Sequence, residues 1–301
     1  MKQPLKDRLR SFFGGNGVFW ALTYLFFVIL VMIFLSPLIF RFEPELATKR
    51  KRYKEDTKPR LDSSDRKIKE DCALQEHRIT WSDYAGRTFN GTIKVCISDY
   101  PTSKNNRAQS SFYEQLIEFD APKLNRLYAM FYDIAKRNQL GNTETAEMIV
   151  SCIQSIPYFL VIADEAGEYM RRCEASGQTN NFAYQYLLAR RPYIDGIIQN
   201  GVQSPVEFMY NLKGDCDTRT VLLYTVLSKF KYDVVILNSD VEGHSILGIN
   251  IPTGSGLYYV ELGTGKKYYV WETTAEGYQI GSLPRFEPRN WYITTNQLTV
   301  R

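Results

Sequence analysis

Cys216 stands in Gly214-Asp215-Cys216-Asp217-Thr218-Arg219, directly ahead of an apolar-periodic run over residues 220–230. A cysteine in the first turn of a helix feels the positive end of the helix dipole and the unpaired backbone N–H groups there. Both favour thiolate over thiol. That is the chemistry of a nucleophile, and a nucleophilic sulfur needs one general base. The chain of 301 residues has only two histidines, His77 and His244, and His244 opens a strand-like run 28 residues after the cysteine. A carboxylate accepting the other ring N–H of His244 would hold the imidazole in the useful tautomer.

These side chains need rigid mounts. Leu222, Leu223, Val226, Leu227 and Phe230 form a helical stripe that buries one face of the run after Cys216. Residues 244–251, 257–262 and 267–272 read as strands from their β-branched and aromatic content. If the three make a simple meander, Glu261 lies nearer His244. If the first pairs directly with the third, Glu272 does.

Several short motifs in order carry a resemblance: Ile153-Gln154-Ser155-Ile156-Pro157-Tyr158, then Pro205-Val206-Glu207-Phe208-Met209, Gly214-Asp215-Cys216, Gly243-His244, and Tyr268-Tyr269-Val270-Trp271-Glu272-Thr273-Thr274. Over roughly residues 145–285 the chain resembles the transglutaminase-like superfamily of cysteine enzymes, in its bacterial membrane-anchored branch. The resemblance implies an α+β, papain-like core with a nucleophile-bearing helix packed on an antiparallel sheet. It implies a catalytic set of Cys216, His244 and Glu272 acting on amide bonds through a thioester, and it favours Glu272 over Glu261. By the same resemblance Gln154 would donate its amide to an oxyanion beside the Cys216 N–H; the alternative is an ordinary polar residue at a helix end. The chain departs from the pattern at Thr218, where relatives often carry a second acidic residue. No cofactor and no metal are implied, and no Cys/His cluster suggests one.

Residues 17–40 carry no charge and would make about 36 Å of helix, enough to cross a bilayer core of roughly 30 Å. They read as one transmembrane helix, longer than the apolar region of a cleavable signal peptide. A basic tail, 1–16, precedes it and a charged juxtamembrane linker, 41–75, follows. Basic residues flank both sides; the short tail before a first apolar segment places the N-terminus inside and the domain of residues 76–301 outside the cytoplasmic membrane. Partners expected from this layout are the lipid bilayer, a protein or peptide substrate near it, and a membrane protein packed on the span. The span offers only Gly17 and Ala21 as a small-residue pair.

The five cysteines form no regular framework; Cys72 and Cys96 could pair in an oxidising space, with Cys152, Cys173 and Cys216 remaining thiols. Net charge is +4, and much of the basic excess is near the span, where residues 48–71 mix ten Lys and Arg with six acids. Nothing resembles a nucleic-acid-binding module or a phosphate loop. Elsewhere, residues 76–99 read as a hairpin that could extend the later sheet, 102–106 as a loop, 108–138 as helix broken near Pro122, and 143–156 as another helix. Residues 161–206 read as an exposed excursion, either a wall of a substrate cleft or inert surface. Two functions follow: a membrane-anchored peptidase or amidase, with deamidation and cross-linking as variants set by the acyl acceptor, or a membrane-anchored scaffold that keeps the fold without the chemistry.

Overall fold

The computed structural model describes residues 61–62, 72–194, 198, 201–251 and 256–294, all within one compact unit, Lys58–Arg301. The apolar span at 17–40 lies outside the described residues, and among those described no helix is long and apolar enough to cross a membrane.

The architecture is α+β. Strands β1 (Leu74–Ser82) and β2 (Thr88–Cys96) form an antiparallel hairpin. Helices α1 (Asp99–Gln109), α2 (Tyr113–Asp120), α3 (Asn125–Arg137), α4 (Asn142–Gln154), α5 (Ala166–Ala175), α6 (Phe182–Leu188), α7 (Pro205–Asn211) and α8 (Cys216–Lys229) follow. The chain then enters β3 (Val234–Ser239), β4 (His244–Ile249), β5 (Tyr258–Val260), β6 (Lys267–Trp271) and β7 (Tyr292–Ile293). These five strands make one antiparallel sheet in the order β5-β6-β4-β3-β7.

The hairpin is a separate two-stranded sheet and does not extend the larger one. Its alternating pattern turns Trp81, Phe89, Ile93 and Val95 onto α3 and α4, where Leu127, Phe131 and Ile134 complete the layer. Trp81 Nε1 donates to Met148 O at 3.0 Å, so the one polar atom of that ring is satisfied inside the core. A disulfide joins Cys72 to Cys96 at the hairpin's open end, Leu61 is buried in the core, and Asp62 pairs with Lys231 at 2.9 Å. The domain thus begins before residue 76, and residues 61–62 and 72–75 of the charged linker are part of it.

Residues 102–106 are helical, not a loop. Two polar side chains of α1 are buried against partners: Ser103 donates to Asp120 Oδ1 at 2.6 Å, and Arg107, just beyond that stretch, meets Glu207 at 2.7 Å. Tertiary pairing supplies what apolar periodicity lacked. Helix α8 is buried on more than the expected stripe, since Val221 packs with Leu116, Val202 and Ile236 on another side. It is the central helix, enclosed by α2, α4, α7 and the sheet. The excursion at 161–206 contains α5 and α6 over a small cluster of its own, Leu160, Ile162, Tyr186 and Leu187. Tyr184 and Tyr186 are buried packing residues, whereas Tyr193 is exposed.

Candidate active site

The turn into α8 is shaped by Gly214. A Cβ there would lie 2.7 Å from Thr218 Cγ2 and 3.1 Å from Phe208 Cδ2, so only glycine lets α7 and α8 approach this closely. Asp215 caps the helix: Oδ1 accepts from Thr218 N at 3.3 Å, and Oδ2 accepts from Val161 N at 3.3 Å. Its carboxyl is pushed up to about 8, first by burial and then by neighbouring Asp217. Thr218 is buried, and its Oγ1 accepts from Gln203 N at 3.1 Å, which gives the position of the departure a structural use.

Cys216 is the first residue of α8 and is buried. Its Sγ hydrogen bonds to Asp217 Oδ2 at 3.7 Å, and the backbone of Ser245, next to His244, also reaches the sulfur. The expected drift toward thiolate is not met in this geometry. Burial, then Asp217 and Asp215, push the thiol well above its ordinary range.

His244 opens β4, and β4 pairs directly with β6 through Leu247–Trp271, Gly248–Val270 and Ile249–Tyr269. That register carries the end of β6 back to the start of β4, and His244 Nε2 lies 2.9 Å from Glu272 Oε2. Glu261, on the turn after β5, is one strand farther away and accepts from Thr264 Oγ1. Between the two carboxylates, strand order decides for Glu272. Its other oxygen accepts from Thr273 N at 2.9 Å, Thr274 N at 2.8 Å and Thr274 Oγ1 at 2.6 Å. Burial alone would raise this carboxyl; His244 and the Thr274 donors outweigh it and hold the group down to about 2. Burial likewise opposes the imidazolium, yet Glu272, Asp217 and Glu242 lift His244 above its ordinary value. With Nε2 facing Glu272, the Nδ1 edge is the one left to exchange a proton with a nucleophile.

Acid should reveal this ion pair. A carboxylate depressed from its ordinary 4.5 to about 2 stabilises the fold above the higher value and loses that contribution as pH falls through the lower. The span corresponds to about 3 kcal/mol, counted once for the pair. Asp215 works oppositely, since a raised carboxyl costs stability as pH climbs toward about 8. Denaturant unfolding at about pH 5 and about pH 2.5 should show a markedly shallower acid loss in Glu272→Gln than in the parent. Equal slopes would mean that Glu272 is not held as described.

The Gln154 side chain is bonded to the backbone around Glu272. Its Nε2 donates to Glu272 O at 2.6 Å and Tyr278 O at 3.0 Å, while Oε1 accepts from Tyr84 O–H at 2.9 Å. Both amide hydrogens are spent bracing the backbone that carries Glu272. Trp271 Nε1 joins the brace, donating to Tyr84 Oη at 3.1 Å and Tyr278 O at 3.0 Å. Thr220 Oγ1 lies 3.2 Å from Thr273 Oγ1 and 3.4 Å from Ser245 O, tying α8 to the ends of both strands. The other histidine is engaged elsewhere, with His77 Nε2 at 2.7 Å from Tyr210 O.

Arg219 escaped the sequence reading. Fully buried, it donates to Gly214 O at 3.1 Å, Ile153 O at 2.8 Å, Ile156 O at 2.6 Å and Pro157 O at 2.8 Å. One guanidinium thus ties the end of α4 to the turn that presents Cys216. The available signal was a charged residue three positions after the cysteine, inside a run otherwise suited to a core. Among the described residues, no group of His, Cys, Asp and Glu side chains is arranged to hold a metal ion.

The chain matches no protein-family model, and no curated protein matches it.

Proposed function

We propose that the protein is a membrane-anchored, transglutaminase-like cysteine enzyme that acts on amide bonds of a protein or peptide, with hydrolysis as its principal outcome. The observation that carries this reading is the His244–Glu272 pair at 2.9 Å, set beside the helix start that bears Cys216. A histidine held through Nε2 by a carboxylate, with a sulfur one residue's backbone away, is the arrangement that cysteine acyl transfer requires.

In this mechanism His244 Nδ1 takes the Cys216 proton as Sγ forms a bond to the substrate carbonyl carbon. The C–N bond breaks, and the imidazolium returns the proton to the departing amine. Water then attacks the thioester, His244 taking its proton and giving it back to the sulfur as the acid product leaves. The backbone N–H of Cys216, in the first turn of α8, is a donor for the oxyanion. Glu272 keeps the imidazole oriented and stabilises its cation.

The Cys72–Cys96 disulfide supports an oxidising compartment and hence the domain outside the cytoplasmic membrane. A tether at 17–40 would confine action to substrates near that membrane face. A second reading, a scaffold without chemistry, draws on the raised thiol of Cys216. Incubating the full-length protein in detergent with a peptide library, and reading products by mass spectrometry, separates them. New peptide termini that vanish with Cys216→Ala support hydrolysis; deamidated or amine-conjugated products would reassign the acceptor. No Cys216-dependent product, together with no labelling of Cys216 by peptide electrophiles, would leave the scaffold.

A further inference from the structure

Resting on the acyl-transfer reading, we infer that Asp217 is a latch that holds Cys216 as a hydrogen-bonded thiol until substrate engages the site. The geometry is specific. Asp217 Oδ2 accepts from Cys216 Sγ at 3.7 Å, and its other oxygen accepts from Tyr113 O–H at 2.8 Å, a side chain delivered by α2. The Tyr113 bond fixes the carboxyl in the orientation that faces the sulfur. Burial raises Asp217's own carboxyl, and Tyr113, His244 and the Cys216 bond draw it back in part; once ionised it accepts the Sγ–H hydrogen bond without removing the proton and opposes any negative charge on sulfur.

The other charged and titratable groups facing this pair do not cancel the effect. From the turn before α8, Asp215 adds a second carboxyl, and from the end of β6 Glu272 adds a third; both act against a thiolate. From the chain before α5, Tyr158 interacts with the sulfur, and from β7 Tyr292 feels Asp217. The countercharges are His244 at the start of β4, turned through Nε2 toward Glu272, and Arg219 on α8, committed to four carbonyls. For the reaction to start, the thiol proton must pass from its bond with Oδ2 to His244 Nδ1. Asp217 thereby limits idle thiolate chemistry, oxidation and alkylation included.

The test is the pH profile of Cys216 alkylation by iodoacetamide on the full-length protein, followed residue by residue with mass spectrometry, with buried Cys152 and Cys173 as internal references. Asp217→Asn, or Asp217→Ser should the amide variant fail to fold, is expected to lower the midpoint by about one pH unit or more. The rate near neutral pH should then rise about tenfold. A midpoint that stays in place or rises in a folded variant overturns the latch. A parallel arm keeps the two ideas apart, since labelling of the parent by a peptide-like electrophile tests dependence on His244. An unmoved Asp217 profile with His244-dependent labelling rejects the latch and leaves the enzyme reading standing. A shifted profile with His244-independent labelling keeps the thiol control and rejects the enzyme.

Discussion

His244→Ala should slow labelling of Cys216 by a peptide-like electrophile by about 10²-fold or more at neutral pH, the usual scale of a positioned acid-base group. The reason is the thiol's environment. Burial and two adjacent aspartates hold Cys216 protonated, so its reaction depends on a base that removes the proton as the sulfur attacks. Under the proposed acyl-transfer function His244 is that base, with Glu272 Oε2 at 2.9 Å from Nε2. Glu272→Ala should give a smaller loss in the same direction, because the imidazole remains but loses its orientation and its countercharge. Residue-resolved mass spectrometry on the full-length protein reads both. If Cys216 labels no faster than Cys173 in the parent, or if His244→Ala leaves its rate unchanged, Cys216 and His244 do not act together.

Arg219→Leu is expected to destabilise the domain by about 3–5 kcal/mol. Four backbone carbonyls lose a charged donor, each such bond contributing about 1.5–3 kcal/mol, and the relief of no longer burying a cation returns several kcal/mol. For a domain of this size the loss corresponds to a melting temperature lower by about 10 °C. Arg219→Lys should not restore it, since one ammonium cannot span Gly214 O, Ile153 O, Ile156 O and Pro157 O together. Thermal unfolding by circular dichroism decides the matter. A melting temperature within about 2 °C of the parent's would mean that these carbonyls find other donors and that Arg219 is not the clamp of the turn.

Local pattern made the setting of Cys216 legible. Glycine, a capping aspartate and an apolar run mark a helix start, because cap chemistry and 3.6-residue periodicity act within a few residues. The strand character of residues 244–249 and 267–271 was legible for the same local reason, and the α+β class follows from the two together. The hairpin at Leu74–Ser82 and Thr88–Cys96 was visible in alternation, though the sheet it belongs to was not. Polar α1 was invisible, because what makes it helical is Ser103 on Asp120 and Arg107 on Glu207, partners far along the chain.

The amino-acid sequence by itself determined which chemical groups are present and their local mounts: one cysteine at a helix start, one histidine at a strand start, and two carboxylates eligible to orient it. Tertiary structure alone decided between Glu272 and Glu261, by pairing β4 directly with β6. It also bonded the Gln154 amide to Glu272 O and Tyr278 O, and set Asp217 against the sulfur with Tyr113 behind it. Strand order, side-chain direction and the field inside a buried site are sums over long-range contacts, and no window of neighbouring residues contains them.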